Sequence, residues 1–441
     1  MRVLTTIALV WLALPSFILA QPLTIDDAVN YALENNFEIR QGRLDISDAD
    51  ARVGEVLATG LPKLDGNLQY SYFPDVPNFL IPAQFADPEA PDGTFISLPA
   101  GTRQSVNASL ELSALVFDGS FFVGLQAARV FKDLTEKEVD ATREDIKWNV
   151  KRAFYSVLLV QEQIGELETN IESVKNLLDE TRALYDEGFA ELLDVRRLQL
   201  NYNTLKSQRD QIMGMDTITE NLLKFQMAWP ADEPIEITGD LEEMAGEWML
   251  RKPSVDFQYT DRPDYRVLQV NEELADINIR QIRMGYFPTL RAFANHNQNL
   301  QRDDLFNSDE IGWLQTTVVG ATLSIPIFDG FDKRSRIQRA RISKEKVLEG
   351  QHQLRHAIDT EVRNNHLQYK NALRGLDDAD GLLDLSREIY ETVLTKYREG
   401  VGSSFELIQA EQDLFDARLQ KLNALYEVVD SRTQLEQALG R

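Results

Sequence analysis

The 441-residue sequence contains no cysteine and only four histidines. Without thiols the chain forms neither disulfides nor thiolate metal sites, and it has no cysteine nucleophile. His352 and His356 stand one helical turn apart, but no third ligand lies near them in the sequence. We expect His352 and His356 to occupy surface or coiled-coil positions, and the sequence predicts no metal site and no cofactor.

Long apolar runs are missing beyond the N terminus. Residues 1–20 carry one charge, Arg2, and end in Phe17-Ile-Leu-Ala20. This pattern predicts a secretory signal peptide that is cleaved before Gln21. The alternative is an uncleaved anchor, because Ile18 is not the small residue preferred at the third position before the cut. No later segment offers the ~18–20 uncharged apolar residues that a transmembrane helix needs. The sequence therefore predicts an exported protein that does not cross a bilayer by helices.

Positive charge is scarce as well. The chain has 46 basic and 71 acidic residues, for a net charge of −25. Nucleic-acid binding requires a basic surface that neutralises phosphates, so nucleic acid is excluded as a partner. The acidic residues would raise the local cation concentration if they lined a lumen.

What the sequence does contain is an internal duplication, with an offset of 212 residues from Tyr185 to Tyr397. Tyr185-Asp-Glu-Gly188 recurs as Tyr397-Arg-Glu-Gly400, and Leu115-Val-Phe-Asp-Gly119 recurs as Ile325-Pro-Ile-Phe-Asp-Gly330. Such self-similarity indicates a doubled structural unit. We predict a first repeat over residues 21–229, an inter-repeat linker or equatorial segment without helical pattern over residues 230–262, and a second repeat over residues 263–441.

Each repeat contains two segments in which apolar and polar residues alternate, and these predict strands with one apolar face. The clearest alternates Val106, Ala108, Leu110 and Leu112 with polar residues. The predicted strands span residues 63–73, 105–117, 289–298 and 315–328. About ten residues is the length of a tilted membrane-spanning strand. A soluble sandwich would show the same alternation, so the strands alone do not decide the fold.

The remaining part of the first repeat is predicted as one helix and one loop. Residues from Asp26 to Leu57 have a helical apolar pattern, which Gly60 and Pro62 end. The stretch from Phe73 to Thr102 contains six prolines. We predict that this stretch is a long exposed loop without regular structure.

The helical pattern decides between the two fold classes. From Ile146 to Leu178 apolar residues recur at spacings of four and three, and the same pattern returns 212 residues later. A heptad sustained over this length predicts coiled-coil packing. The predicted helical hairpins, residues 122–228 and 331–439, begin with a proline-free helix of about 100 Å. Helices of this length favour a bundle or a hollow tube over a globular core.

The order of these motifs resembles that of the TolC-like outer-membrane factors, the outer membrane efflux protein family. The likeness includes the Tyr-x-x-Gly turn followed by Asp194-Val195, Phe-Asp-Gly after each second strand, and Arg262-Pro-Asp264 leading to Gly285-Tyr-Phe-Pro288. It covers the chain from Leu23 to Leu439. The resemblance implies an α+β membrane protein. In that family three chains give four strands each to a twelve-stranded β-barrel, which a long α-helical periplasmic tunnel continues.

The resemblance also implies a function and partners. The expected protein is the homotrimeric exit duct of a tripartite efflux or type I secretion system in the Gram-negative outer membrane. It would contact outer-membrane lipid, a periplasmic adaptor (membrane-fusion) protein and an inner-membrane pump, and carry small molecules or proteins. The alternative is a passive porin or a structural coiled-coil envelope protein. A porin would have more strands per chain, and no motif supports an exported enzyme.

By the same resemblance the hairpin tips dock the adaptor. The candidate docking residues of the first tip are Tyr185, Gly188 and Phe189, and those of the second are Gly400, Val401 and Ser403. Each glycine stands where two helices reverse, a position that often needs positive φ. A plain helix C-cap accounts for the glycines equally well.

The resemblance further implies a periplasmic gate near the tips. Glu406 matches the first acidic residue of the family's constriction, whereas the next matching position is Gln409. Tyr397 and Asp194 match members of a closing network, and Gly402 replaces its arginine. The alternative is that Asp194 and Glu406 only favour helix N-termini through the helix dipole.

Overall fold

The computed structural model describes residues 22–250, 254–306 and 312–441. The predicted signal peptide lies outside the described residues. The helices are α1 (Ile25–Asn35), α2 (Phe37–Ala58), α3 (Gly119–Asp186), α4 (Leu192–Met227), α5 (Leu241–Leu250), α6 (Pro263–Met284), α7 (Asp332–Arg398) and α8 (Ser404–Leu439). The strands are β1 (Lys63–Tyr72), β2 (Asn78–Pro82), β3 (Phe95–Pro99), β4 (Gln104–Phe117), β5 (Thr289–Arg302) and β6 (Leu314–Ser324).

The chain divides into two compact units, and both long helices α3 and α7 contribute to each of them. The helical unit comprises the described residues up to Arg43, Lys137–Arg266 and Gln353–Arg441. The sheet unit comprises Leu44–Glu136 and Val267–His352.

The sheet unit is built on a four-stranded antiparallel sheet with the order β1-β4-β5-β6. Its register places Leu64 opposite Leu112 and Leu290 opposite Leu323, so residues of the same polarity share a face. Large apolar side chains on one face are exposed: Leu64, Leu68, Leu110, Leu112, Val319 and Leu323. β1 and β6 form the two edges of the sheet.

Two strand ends differ from the predicted ones by more than one residue. β5 continues to Arg302, because it pairs with β4 from Leu290 to Arg302. β6 stops at Ser324, short of the predicted residue 328. The reason is Pro326, which lacks the N–H that a ladder position donates.

The prediction that residues between Phe73 and Thr102 have no regular structure is wrong. β2 and β3 form a small antiparallel hairpin there, with Asn78 opposite Pro99 and Pro82 opposite Phe95. Both prolines stand at strand ends, where a missing donor is tolerated. A high proline content therefore did not exclude a short two-stranded ribbon.

The predicted helix from Asp26 to Leu57 is interrupted at Asn36. The backbone of Asn36 is extended (φ −55°, ψ 140°) and ends α1. Its side chain donates to the carbonyl of Gln226 over 2.7 Å and accepts from the N–H of Glu38 over 2.8 Å. One polar side chain thus separates the two helices and ties them to α4.

The core of the helical unit lies between the long helices. Its largest fully buried side chains include Phe154, Leu223, Met227 and Leu435. Residues 230–262, predicted to lack a helical pattern, contain α5, which buries Leu241 and Ala245 in the same core. The N–H of Leu241 donates to the Glu162 carboxylate over 3.0 Å, so a side chain of α3 holds the start of α5.

Candidate functional site

The candidate site is the pair of tight turns that join α3 to α4 and α7 to α8. Gly188 and Gly400 have φ values of +82° and +75°, a backbone conformation that glycine adopts at no steric cost. The N–H of Phe189 donates to the Leu184 carbonyl over 2.7 Å, and the N–H of Val401 donates to the Lys396 carbonyl over 3.0 Å. Both turns therefore end their helices in the same way, as the duplication predicts.

The turns expose apolar side chains to solvent. Phe189 is 82% exposed and Val401 is 79% exposed. Tyr185 is also exposed, whereas Ser403 is tied to the backbone, since its Oγ accepts from the N–H of Glu406 over 3.2 Å. Each tip thus exposes one large apolar side chain, Phe189 or Val401, among polar residues.

The returning helices begin with acidic caps. The side chain of Asp194 accepts from the N–H of Glu191 over 3.3 Å in a capping box. Glu406 stands in the first turn of α8, with its side chain exposed. The interpretation of both residues as helix-start residues therefore fits their positions, beside any further role.

Next to the turns lies a small apolar cluster, the tip cluster, which is separate from the main core. It consists of the buried residues Leu177, Leu178, Val195, Leu198 and Leu407. Tyr390, Val393 and Tyr397 of α7 pack against it. The cluster therefore joins all four long helices near their turns.

Polar contacts between helices flank the tip cluster. The Asp194 carboxylate accepts from the Ser404 hydroxyl, and Arg197 donates to the same hydroxyl oxygen over 3.5 Å. The Tyr397 hydroxyl lies 3.0 Å from the hydroxyl of Thr181 on α3. Burial raises the pKa of Tyr397, the Thr181 bond lowers it, and the nearby Asp194 charge raises it.

The structure thus gives Tyr397 and Asp194 different partners within one chain. Tyr397 contacts Thr181, and Asp194 contacts Ser404, although both residues lie at the same cluster. Thr181 and Ser404 were not identified from the sequence. Small hydroxyl residues are common in helices, so their type alone carries no signal.

The two remaining predicted gate positions are Gln409 and Gly402. Gln409 donates to Asp413, one turn along the same helix, over 2.8 Å. A Cβ added to Gly402 would lie 2.9 Å from the backbone nitrogen of Tyr397. The turn therefore leaves no room for a side chain where the family resemblance implies an arginine.

A buried polar pair beyond the tip cluster was also missed. Asn201 of α4 donates to the carboxylate of Glu411 on α8 over 3.4 Å, and both side chains are buried. Burial raises the pKa of Glu411 to about 7, against the lowering effects of Asn201 and Arg418. Glu411 stands four residues after Leu407 and three before Leu414, both of which are buried. A charged residue at a heptad position that is otherwise apolar was the signal available in the sequence.

Among the described residues no helix combines the length and the apolar composition that spanning a membrane requires. Within residues 22–250, 254–306 and 312–441 no group of three or more acidic or histidine side chains is placed to hold a metal ion.

Comparison with known proteins identifies the family and the relatives that this chain resembles. The family model described as "Outer membrane efflux protein" matches residues 28–217 and 260–441. The chain is 20% identical to outer membrane protein TolC of Salmonella enteritidis over 98% of this chain and 85% of that protein. It is 22% identical to the antibiotic efflux pump outer membrane protein ArpC of Pseudomonas putida, over 77% of this chain and 73% of ArpC.

Solved structures agree on the fold. The crystal structure of the open state of the Neisseria gonorrhoeae MtrE outer membrane channel superposes with a TM-score of 0.71, at 17% identity. That match covers 94% of this chain and 88% of the MtrE chain. The predicted fold class is thereby confirmed. Since the family model spans most of its length, the chain belongs to the outer membrane efflux protein family.

Proposed function

We propose that this protein is the homotrimeric exit duct of a tripartite efflux system, and that it docks a periplasmic adaptor and an inner-membrane pump. As a family member it is an outer-membrane channel with a periplasmic helical part. The relatives named above are channel proteins, and the chain itself is proposed to catalyse no reaction.

The observation that best supports a trimer is the four-stranded sheet, both of whose edges are unpaired within the chain. One face of this sheet exposes Leu64, Leu68, Val319 and Leu323, as a wall facing lipid does. Backbone groups of an unpaired edge are not tolerated in hydrocarbon. If β6 of one chain pairs with β1 of the next, three chains close a barrel with an even number of strands.

Small molecules are the favoured cargo, with exported proteins as the second possibility. ArpC, one of the relatives, is named as part of an antibiotic efflux pump. A duct of this kind encloses its cargo without a dedicated binding pocket, so selection would lie in the pump. We further propose that the repeats, residues 21–229 and 263–441, each supply one hairpin tip for the adaptor.

The tips are proposed to form the gate as well. Asp194, Tyr397 and Glu406 stand at or beside the tip cluster, and the polar contacts to Ser404 and Thr181 hold helices of both repeats together there. Opening the duct would require these contacts to break. The exposed Phe189 and Val401 offer apolar area for an adaptor.

The test is a reconstitution. The detergent-purified protein should sediment as a trimer and give discrete conductance steps in a planar bilayer. A passive porin would conduct fully without adaptor, whereas a duct that is closed at rest should conduct weakly until its tips are altered. A structural envelope protein would give no conductance steps. A water-soluble monomer that stays out of bilayers would contradict the proposal.

A further inference from the structure

The densest positive charge of this acidic protein lies in the first four turns of α7. Residues 333–346 contain seven basic residues and one acidic residue, Glu345. The basic residues are Lys333, Arg334, Arg336, Arg339, Arg341, Lys344 and Lys346. The corresponding residues of the first repeat, 121–134, contain only Arg129 and Lys132, and Lys132 is paired with Asp50. The basic segment is therefore not a product of the duplication.

Part of this charge has no acidic counterpart. Lys344 is paired with Asp276 over 2.7 Å and Lys333 with Asp329 over 3.0 Å. Arg334, Arg339 and Arg341 are exposed, and none has a carboxylate within ion-pair distance among the residues that the structure describes. Three guanidinium groups are thus available to an anion.

A cavity with an aromatic and aliphatic wall adjoins two of these arginines, Arg334 and Arg341. It has a volume of about 700 Å³, and Arg334 and Arg341 line it together with Lys333 and with Asp329, the carboxylate that Lys333 pairs with. Its apolar wall consists of Tyr286, Ile327, Phe328 and Phe331. Ile327 is 93% exposed and Phe328 is 76% exposed. Large apolar side chains with this exposure beside free cations are typical of a surface that receives an amphiphile.

The cavity continues the apolar face of the sheet. Val319, Leu323, Ile325 and Ile327 alternate along one line, and all are strongly exposed. β6 ends at Ser324 and α7 begins at Asp332, so the arginines follow within a few residues of the strand end. The head-group region of a bilayer begins where its ~30 Å hydrocarbon core ends. A strand that spans this core therefore brings the start of α7 to the head groups.

We propose that this basic aromatic surface, defined as Tyr286, Phe328, Phe331, Arg334, Arg339 and Arg341, binds anionic phospholipids of the periplasm-facing leaflet. The acyl chains lie against Phe328 and Phe331, and the lipid phosphate accepts hydrogen bonds from Arg334 and Arg341. Planar guanidinium groups suit phosphate because they donate two parallel hydrogen bonds. The proposal rests on the proposed outer-membrane duct, whose strands stand in the bilayer.

Charge complementarity and position select this occupant. The surface lies at the strand ends that lead into α7, whereas β2 and β3 lie in the connection at the opposite end of β1 and β4. It therefore faces the periplasmic leaflet. An acidic protein would match the arginines but not the exposed Ile327, Phe328 and Phe331, which extend the lipid-facing surface.

The experiment counts lipids bound to the detergent-purified full-length protein by native mass spectrometry. Phosphatidylglycerol and phosphatidylethanolamine are offered separately at equal concentration. Each cation near an anionic lipid contributes roughly a factor of five in affinity. The variant R334Q/R339Q/R341Q should therefore bind phosphatidylglycerol roughly one to two orders of magnitude more weakly. The loss for phosphatidylethanolamine should be smaller, because its ammonium group offsets the charge of its phosphate. The matched control is R363Q/K370Q/R374Q, which removes three exposed charges farther along α7.

Any one of four results would overturn the proposal. The triple arginine variant binds phosphatidylglycerol as the unaltered protein does, the control loses as much, or the unaltered protein does not prefer phosphatidylglycerol. Loss of the trimer with unchanged lipid preference would also overturn it and would identify the surface as a subunit contact. Conductance in the same preparation separates the two proposals. Conductance without lipid preference contradicts only this one, and lipid preference without conductance contradicts only the duct.

Discussion

Side chains at the turns hold the helices of the two repeats together, and two of their contacts involve the candidate gate residues. One joins Asp194 to Ser404 and the other joins Tyr397 to Thr181. A hydrogen bond to a charged group contributes about 1.5–3 kcal/mol and a neutral one about 0.5–1.5 kcal/mol. The Asp194 contact is therefore the stronger of the two.

We expect Asp194→Ala and Tyr397→Phe to raise the single-channel conductance, with the larger increase for Asp194→Ala. Ser404→Ala and Thr181→Val remove the partner atoms and should act in the same direction. Thr395→Ala is the control, because the exposed Thr395 hydroxyl donates to the Glu391 carbonyl within α7 and joins no second helix. Unchanged conductance in both the Asp194 and the Tyr397 variants would mean that these residues do not hold the duct closed.

Glu411 should make the stability of the protein depend on pH. Its pKa is about 7 in the folded chain, against 4.5 for an ordinary glutamate. Below pH 4.5 both states are protonated, so the group has no effect. Between pH 4.5 and 7 only the unfolded state releases the proton, so the free energy of unfolding falls as pH rises. Above pH 7 the loss is complete and amounts to about 3 kcal/mol.

Glu411→Gln removes this loss while keeping a polar partner for Asn201. The variant should unfold at a higher temperature at pH 8, with little difference at pH 4.5, when thermal unfolding is followed by circular dichroism in detergent. Glu406→Gln serves as the control, since its side chain is exposed. If the variant keeps the pH dependence of the unaltered protein, folding does not raise the pKa of Glu411.

Among single residues, the sequence identifies those whose type is unusual for their position in an element. Gly188 and Gly400 mark reversals, and the structure gives both a positive φ. Thr181, Ser404 and Asn201 were not found, because their roles depend on how α3, α4, α7 and α8 are aligned. That alignment is set by packing over the whole length of the helices, which local residue type does not encode.

Secondary-structure elements followed the sequence pattern most closely where the pattern was long. α3 and α7 are helical over 68 and 67 residues, since their heptads are not interrupted by proline. The ten-residue α5 and the five-residue strands β2 and β3 were missed. Segments this short contain too few apolar positions to establish a period, and the contacts of α5 with the core decide its conformation.

The tip cluster and the main core should unfold separately, because the buried residues form distinct clusters. Leu407 and Leu425 of α8 are both buried, the first in the tip cluster and the second in the main core. We expect Leu407→Ala to raise amide hydrogen exchange at the turns, with a small effect on global unfolding. Leu425→Ala should lower the free energy of unfolding by about 2–5 kcal/mol. Equal effects of both substitutions would mean that the helices unfold as one unit.

At the scale of the whole molecule, the net charge of −25 should make the duct prefer cations. Two carboxylates lie side by side on the polar face of the sheet, since Asp65 stands opposite Glu111. In the proposed trimer this face lines the lumen, so each of the three chains adds this pair to one ring.

D65N/E111Q should lower the preference for potassium over chloride, measured as the reversal potential across a salt gradient. The change should be larger at 0.1 M than at 1 M salt, because the Debye length falls from about 10 Å to about 3 Å. The control D48N/E55Q removes two exposed carboxylates of α2. A reversal potential that shifts equally in both variants would mean that the total charge, and not the ring, sets the preference.

The two open edges of the sheet have a genetic consequence. In a closed ring every junction uses β6 of one chain and β1 of its neighbour. One chain with a damaged edge therefore prevents two intact chains from closing the ring. Where intact and damaged chains are made in equal amounts and mix freely, only about one ring in eight contains intact chains alone. A proline placed in β6 should therefore act as a dominant allele, whereas deletion of the whole gene should be recessive.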